Sequence, residues 1–211
     1  MKTSIYIDGF NFYYGTVKDT PYKWVDFKSL FQKILKPHHT ITSIKYFTAL
    51  VSSTPEDPDK TNRQKTFLRA LRTHIRELEV FYGMFLSHEV PAPLARPTNT
   101  NKFVRVIKTE EKGSDVNLAV HLLNDAWLNT YDCAVVVSND SDLAEAMRLV
   151  KDYHPEKLMG VFTPGERKTS KQLGAHANFV RSIRLGAVKS SQLPSPIPGT
   201  KIHKPDAWSC K

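Results

Sequence analysis

Cys133-Ala134-Val135-Val136-Val137-Ser138-Asn139-Asp140-Ser141-Asp142 joins five small or apolar residues to five polar ones, two of them carboxylates. The first half, with three β-branched side chains, reads as a strand buried on both faces, the usual state of a central strand in a parallel sheet. The second half ends that strand at once, and the helical spacing of Leu143, Met147 and Val150 follows. Acids at the carboxyl end of such a strand stand where open α/β sheets place their ligand sites.

Outward from this junction, Ser4 to Ile7 reads as a first strand running into Asp8-Gly9-Phe10-Asn11. Asp8 could simply cap the helix expected from Phe10 to Val17, and Asn11 could cap or turn. Two strands ending in acids, if they are neighbours in a parallel sheet, instead put their carboxylates on one edge. A third acid, Asp115, follows Glu110-Glu111-Lys112-Gly113-Ser114 and opens an apolar helix from Val116 to Leu128. Ser114 suits its N-cap and Asp115 its first turn, where the helix dipole favours an acid. Asp115 also precedes Ala119 and Leu122 by four and seven residues, so its side chain is expected along the buried face, in need of a cation or donors.

The remaining chain alternates strands and helices. Helices are expected from Trp24 to Leu35, from Thr54 to about Leu78, from Leu143 to Tyr153 and from Ser170 to Ala177. Strands are expected at Ile41 to Leu50, Val80 to Leu86, Phe103 to Ile107, Lys157 to Thr163 and Phe179 to Ile183. His88 to Thr100, carrying Pro91, Pro93 and Pro97, reads as a loop. This order predicts an α/β three-layer sandwich with a central, mainly parallel sheet over residues 1–185. Prolines, serines and lysines dominate residues 186–211, which read as a flexible tail.

The 211 residues carry 30 Lys and Arg against 21 Asp and Glu, a formal net charge of +9, which favours polyanionic partners. Lys65, Arg69, Arg72 and Arg76 recur at helical spacing and form one cationic ridge, either a plain solvated face or a track for phosphates. Cys133 in a core strand and Cys210 near the end suggest no disulfide framework, and no apolar run approaches a membrane span. A cytoplasmic protein is expected. No glycine-rich phosphate loop and no His-x-Asp or His-x-x-x-His metal spacing is present, and Cys133 is expected to be buried, which argues against a small-molecule enzyme and against a Cys nucleophile.

Carboxylates crowded in one cleft repel, and a hard divalent ion neutralises them while leaving room for a phosphate oxygen. Such a site, approached by Lys and Arg, is suited to phosphodiester hydrolysis. Ile7-Asp8-Gly9-Phe10-Asn11, Lys112-Gly113-Ser114-Asp115 and Ser138-Asn139-Asp140-Ser141-Asp142, in this order, resemble the NYN domain, a branch of the PIN-like nuclease superfamily. The resemblance runs from Met1 to about Ile183. It implies a PIN-like fold and a ribonuclease with Mg²⁺ or Mn²⁺ held, directly or through water, by Asp8, Asp115, Asp140 and Asp142. Asn11 would position Asp8 or the substrate, and Lys112 would meet a phosphate. RNA or another single-stranded nucleic acid is the implied partner, self-association is compatible with it, and a binding module without turnover is the alternative. Asn139 stands where the family has Gly, and is expected to keep a left-handed turn. Leu143 stands where Phe often follows, and Asn178 where an acid is common.

Overall fold

A computed structural model describes residues 1–97 and 102–209. Its strands are β1 (Lys2–Asp8), β2 (Thr40–Thr48), β3 (Leu78–Tyr82), β4 (Met84–Pro93), β5 (Phe103–Lys112), β6 (Cys133–Val137), β7 (Leu158–Pro164) and β8 (Phe179–Ile183). Its helices are α1 (Gly9–Phe12), α2 (Phe27–Ile34), α3 (Lys60–His74), α4 (Ser114–Trp127), α5 (Ala144–Tyr153), α6 (Lys171–His176) and α7 (Leu185–Lys189). Six strands form one parallel sheet in the order β3-β2-β1-β6-β7-β8, while β4 and β5 form a separate antiparallel ribbon. The expected parallel α/β architecture is therefore observed.

The period-two geometry of the central strands divides the core into two halves. Ile5, Ile7, Cys133, Val135 and Val137 face a layer containing Phe27, Phe31, Phe67 and Leu71 from α2 and α3. Tyr6, Ala134 and Val136 face the opposite layer, built from Leu118, Leu122, Met147 and Leu173 of α4, α5 and α6. Every residue of β6 is buried, as a strand covered on both faces requires. The strand order reverses between β1 and β6, so the crevice outside their carboxyl ends is the natural ligand position of this topology.

Three expectations need correction. The strand expected over Val80–Leu86 is broken at Gly83, after which the chain leaves the sheet and enters the ribbon. Close approach explains the glycine: a Cβ there would lie 2.5 Å from the Lys112 carbonyl oxygen and 2.9 Å from the Ser114 nitrogen. The proline-rich loop expected from His88 is strand as far as Pro93, with Pro91 opposite Arg105 and Pro93 opposite Phe103. Two prolines spaced by two residues can both turn their ring nitrogens to the open edge of a two-stranded ribbon, where no N–H is needed. Residues 98–100 of that expected loop, and Cys210, lie outside the described residues.

The segment after Gly186 is the third. It lies on the core instead of projecting from it, with Leu193, Ile197 and Ile202 buried. The Trp24 indole donates to the Pro194 carbonyl over 3.1 Å, and the Lys204 ammonium to the Pro21 carbonyl over 3.0 Å. The composition is proline-rich, but apolar residues spaced through it supply enough burial to hold the chain down. Among the described residues no helix is long and apolar enough to cross a membrane.

Candidate functional site

The carboxyl end of β1 delivers Asp8, whose side chain is 5% exposed, to the floor of a cleft. One carboxylate oxygen accepts the Asn11 backbone N–H at 2.9 Å and so caps α1; the other accepts the Ser138 hydroxyl at 2.9 Å. That hydroxyl in turn accepts the Asp140 backbone N–H at 3.1 Å, so one buried serine couples the ends of β1 and β6. A second clasp joins the same strands: the Asn11 side-chain oxygen accepts the Asn139 N–H at 3.1 Å. The capping role open to Asp8 in the sequence is real, yet it fixes the carboxylate at the cleft instead of replacing a role there. Asp140 likewise caps its own short turn, accepting the Asp142 N–H at 3.0 Å.

Asp115 reaches the cleft from the first turn of α4. Its helix is capped by Gly113 in left-handed backbone (φ 92°), not by Ser114 as expected, because the chain must reverse sharply out of the ribbon before the helix starts. The Asp115 carboxyl is pushed up to about 6, first by burial and then by the negative charges of Asp8, Asp140, Glu111 and Asp142. Asp8 is also raised, chiefly by burial and against the hydrogen bonds it accepts, with the charge of Asp140 adding to the rise. The mutual effect of these acids shows that three distant sequence motifs place their charge in one region.

The cleft has a volume of about 500 Å³, and its lining includes Asp8, Asn11, Asp115 and Asp140. Residues that sequence reasoning did not single out complete it: Ser138 beneath the acids, and Phe10, Tyr14, Lys60, Phe85 and Glu111 around them. Ser138 directly precedes the acidic motif, so its position was a usable signal. Phe85 gave none, because only the ribbon brings it against Phe10, with ring centroids 5.6 Å apart.

Other expected site residues lie elsewhere. Asp142 is exposed and lines a neighbouring groove with Lys171, Gln172 and His176. Lys112 is exposed on the ribbon and paired with Glu110 at 3.0 Å. Lys65, Arg69, Arg72 and Arg76 are all exposed, but the helix expected to reach Leu78 ends at His74, so Arg76 leaves the ridge, and none of the four lines the cleft. Asn139 does not adopt left-handed backbone; among the described non-glycine residues only Asn129 does. Its side chain works instead, accepting the Ser170 N–H at 2.7 Å and donating to the Lys168 carbonyl at 3.2 Å, which pins the segment after β7 to the cleft. Asn178 accepts the Met159 N–H at 2.7 Å and serves the sheet.

The four-carboxylate metal cage expected from the sequence is not formed: among the described residues no group of three or more His, Cys, Asp or Glu is arranged to hold an ion. One reason is visible in the geometry: Asp142 turns to the next groove. The oxygen donor set, with uncompensated negative charge at Asp115, fits a hydrated hard cation resting on one or two carboxylates.

Comparisons with known proteins bear on this cleft. The chain is 34% identical over 236 residues to 6-hydroxy-3-succinoylpyridine 3-monooxygenase HspA of Pseudomonas putida (strain DSM 28022 / S16), covering 99% of this chain and 75% of that protein. A solved structure of a protein of unknown function from Vibrio parahaemolyticus shares the fold, with a TM-score of 0.55 and 20% identity over 86% of this chain and 92% of that one. NYN domains are of nuclease type, and such nucleases generally use divalent metal ions. Residues 2–183 match the model of the NYN domain, and with the acids of its three motifs gathered at one sheet edge, the chain belongs to the NYN domain family.

Proposed function

We propose that the chain hydrolyses RNA phosphodiester bonds at the acidic cleft. The observation that carries this reading is the convergence of Asp8, Asp115 and Asp140, from three separate motifs, on one cleft at the switch point of the sheet. Asp8, Asp115 and Asp140 would hold Mg²⁺ or Mn²⁺, directly or through water; when bound, the ion would supply polarisation of a phosphoryl oxygen.

The chain's own residues do the rest. Asp8 stays fixed between the Ser138 hydroxyl and the Asn11 amide, so it needs no reorganisation when substrate arrives. Asp115 orients a water toward phosphorus and takes its proton, since it reaches the cleft from the first turn of α4 beside Asp8 and Asp140. The water oxygen bonds to phosphorus as the bond to the leaving ribose oxygen breaks, and that oxygen takes a proton from solvent. Asp140→Asn in purified protein should lower cleavage of single-stranded RNA by roughly 100-fold or more, the scale of losing one electrostatic anchor. Undiminished cleavage would overturn the reading, and salt-sensitive RNA binding with no cleavage in Mg²⁺ or Mn²⁺ would leave a binding module instead.

A second reading has its own support. The relative from Pseudomonas putida is named a monooxygenase of a substituted pyridine, and aromatic Phe10, Tyr14 and Phe85 stand around the acids here. On this reading the cleft receives a small heteroaromatic compound. Oxygen uptake by the purified protein on addition of 6-hydroxy-3-succinoylpyridine and a two-electron donor, without RNA cleavage, would favour it.

A further inference from the structure

Beside the acidic cleft, and sharing Phe10, Tyr14, Val51 and Lys60 with it, lies a second, narrower cavity of about 140 Å³. Tyr13, Tyr46, Phe67 and Trp208 are among its walls, and Trp208 is held there by its packing against Phe67 and Trp24, at centroid distances of 6.0 and 6.4 Å. The last turn of the described chain thus walls a cavity that shares part of its lining with the acidic cleft.

Size, lining and charge limit what this cavity can take. An apolar cavity of about 150 Å³ holds benzene, so the volume here matches a single six-membered ring. Aromatic walls favour a flat π-system. Thr48 and Gln64 add polar edges; Gln64 already accepts the Val51 N–H and donates to the Ala49 carbonyl and the Thr48 hydroxyl, so what they offer a ring is the remaining oxygen lone pairs, which suit an N–H donor of a heteroaromatic ring. Of the three cations at the cavity, Arg63 is already neutralised by Asp57 at 2.6 Å, and Lys23 is tied back to the Thr20 carbonyl at 3.0 Å. Lys60 is exposed at the first turn of α3, where the helix dipole also favours negative charge, and it stands in no salt bridge among the described residues. It lines both cavities and so marks the place for an anionic substituent.

We propose that this cavity is the specificity subsite of the cleft and takes one six-membered heteroaromatic ring whose anionic substituent meets Lys60. The inference rests on the cleft being the reaction site, as argued above. A pyrimidine of a nucleic acid strand and a free pyridine carboxylate share this chemistry.

The emission of Trp208 reports directly on the cavity, with Trp208→Phe identifying its share of the signal. Full-length Asp140→Asn protein is titrated with uridine monophosphate, adenosine monophosphate and pyridine-3-carboxylate. Saturable quenching by at least one single-ring ligand is expected, about tenfold or more tighter than by the purine nucleotide, since a pocket discriminates by what it cannot admit. Lys60→Ala, a surface change that leaves the core intact, should weaken that ligand by about tenfold. Val17→Phe, which grows into the cavity, should abolish its binding. Preference for the uridine nucleotide assigns the ring to a strand, and preference for the pyridine acid to a free substrate. Equal quenching by purine and single-ring ligands, or quenching unaffected by Lys60→Ala, overturns the proposal. RNA cleavage that fails with the unsubstituted protein while a single ring still binds defeats the ribonuclease reading and leaves the subsite. Cleavage that proceeds equally on poly-U and poly-A with no ring bound defeats the subsite and leaves the hydrolysis.

Discussion

At the scale of single residues, Asp115 is where the electrostatic tension of the cleft collects. Its carboxyl titrates near 6 in the folded chain and near 3.8 when exposed to water, so the folded state holds the proton more tightly. Stability contributed by the group therefore falls as pH rises from about 4 to about 6 and stays low above that. Asp115→Asn should stabilise the protein at about pH 7 by about 1 kcal/mol, a figure reduced from the full shift because the side chain is only half buried, and change little at about pH 4. Urea unfolding of both proteins at the two pH values measures this; equal midpoints at neutral pH would contradict it. A carbon-detected NMR titration of the same carboxyl should move toward its ordinary range when Mg²⁺ is added, if the cleft takes the ion.

At the scale of elements, α3 and the β4–β5 ribbon define the surroundings of the cleft in different ways. The helix starts at Lys60 on the cleft wall and carries the exposed Lys65, Arg69 and Arg72 away from it, with Arg72 set 5.4 Å over the Tyr82 ring; Arg76 follows two residues past its end. Replacing all four cations by Ala should leave the melting temperature nearly unchanged and reduce the salt slope of single-stranded RNA binding by about 3, at about 0.7 per phosphate released. An unchanged slope would mean the ridge is solvated and nothing more. The ribbon was the element least legible in the sequence. Its strands pair only with each other, and the alternation that marks a strand facing a core is weak where both faces are largely wet. Phe85, Ser87, Thr109 and Glu111 still line the cleft from one of those faces. The pleat puts these cross-strand partners on one side.

At the scale of the whole molecule, the segment after α7 completes the fold. Burial of Leu193, Ile197 and Ile202 is together worth about 5 kcal/mol, the same order as the entire stability of a typical domain. Truncation after Ser190 should lower the melting temperature by about 10 °C or more, read by circular dichroism, and should also open the aromatic cavity by removing Trp208. A truncated chain that melts with the full one would show that this segment is dispensable.

The sequence by itself determined the parallel α/β sheet, because strands covered on both faces are written as uninterrupted apolar runs such as Cys133 to Val137, and it marked Asp8, Asp115 and Asp140 as candidates, because acids at strand ends and helix starts have fixed neighbours in the chain. Tertiary structure alone decided that Asp142 faces the next groove and that Ser138 joins two strands through Asp8. It also decided that a proline-rich end segment closes an aromatic cavity beside the acids. Local pattern records which face of an element is buried; which buried faces meet, and which side chains then share a cleft, depends on the order in which distant strands are laid together.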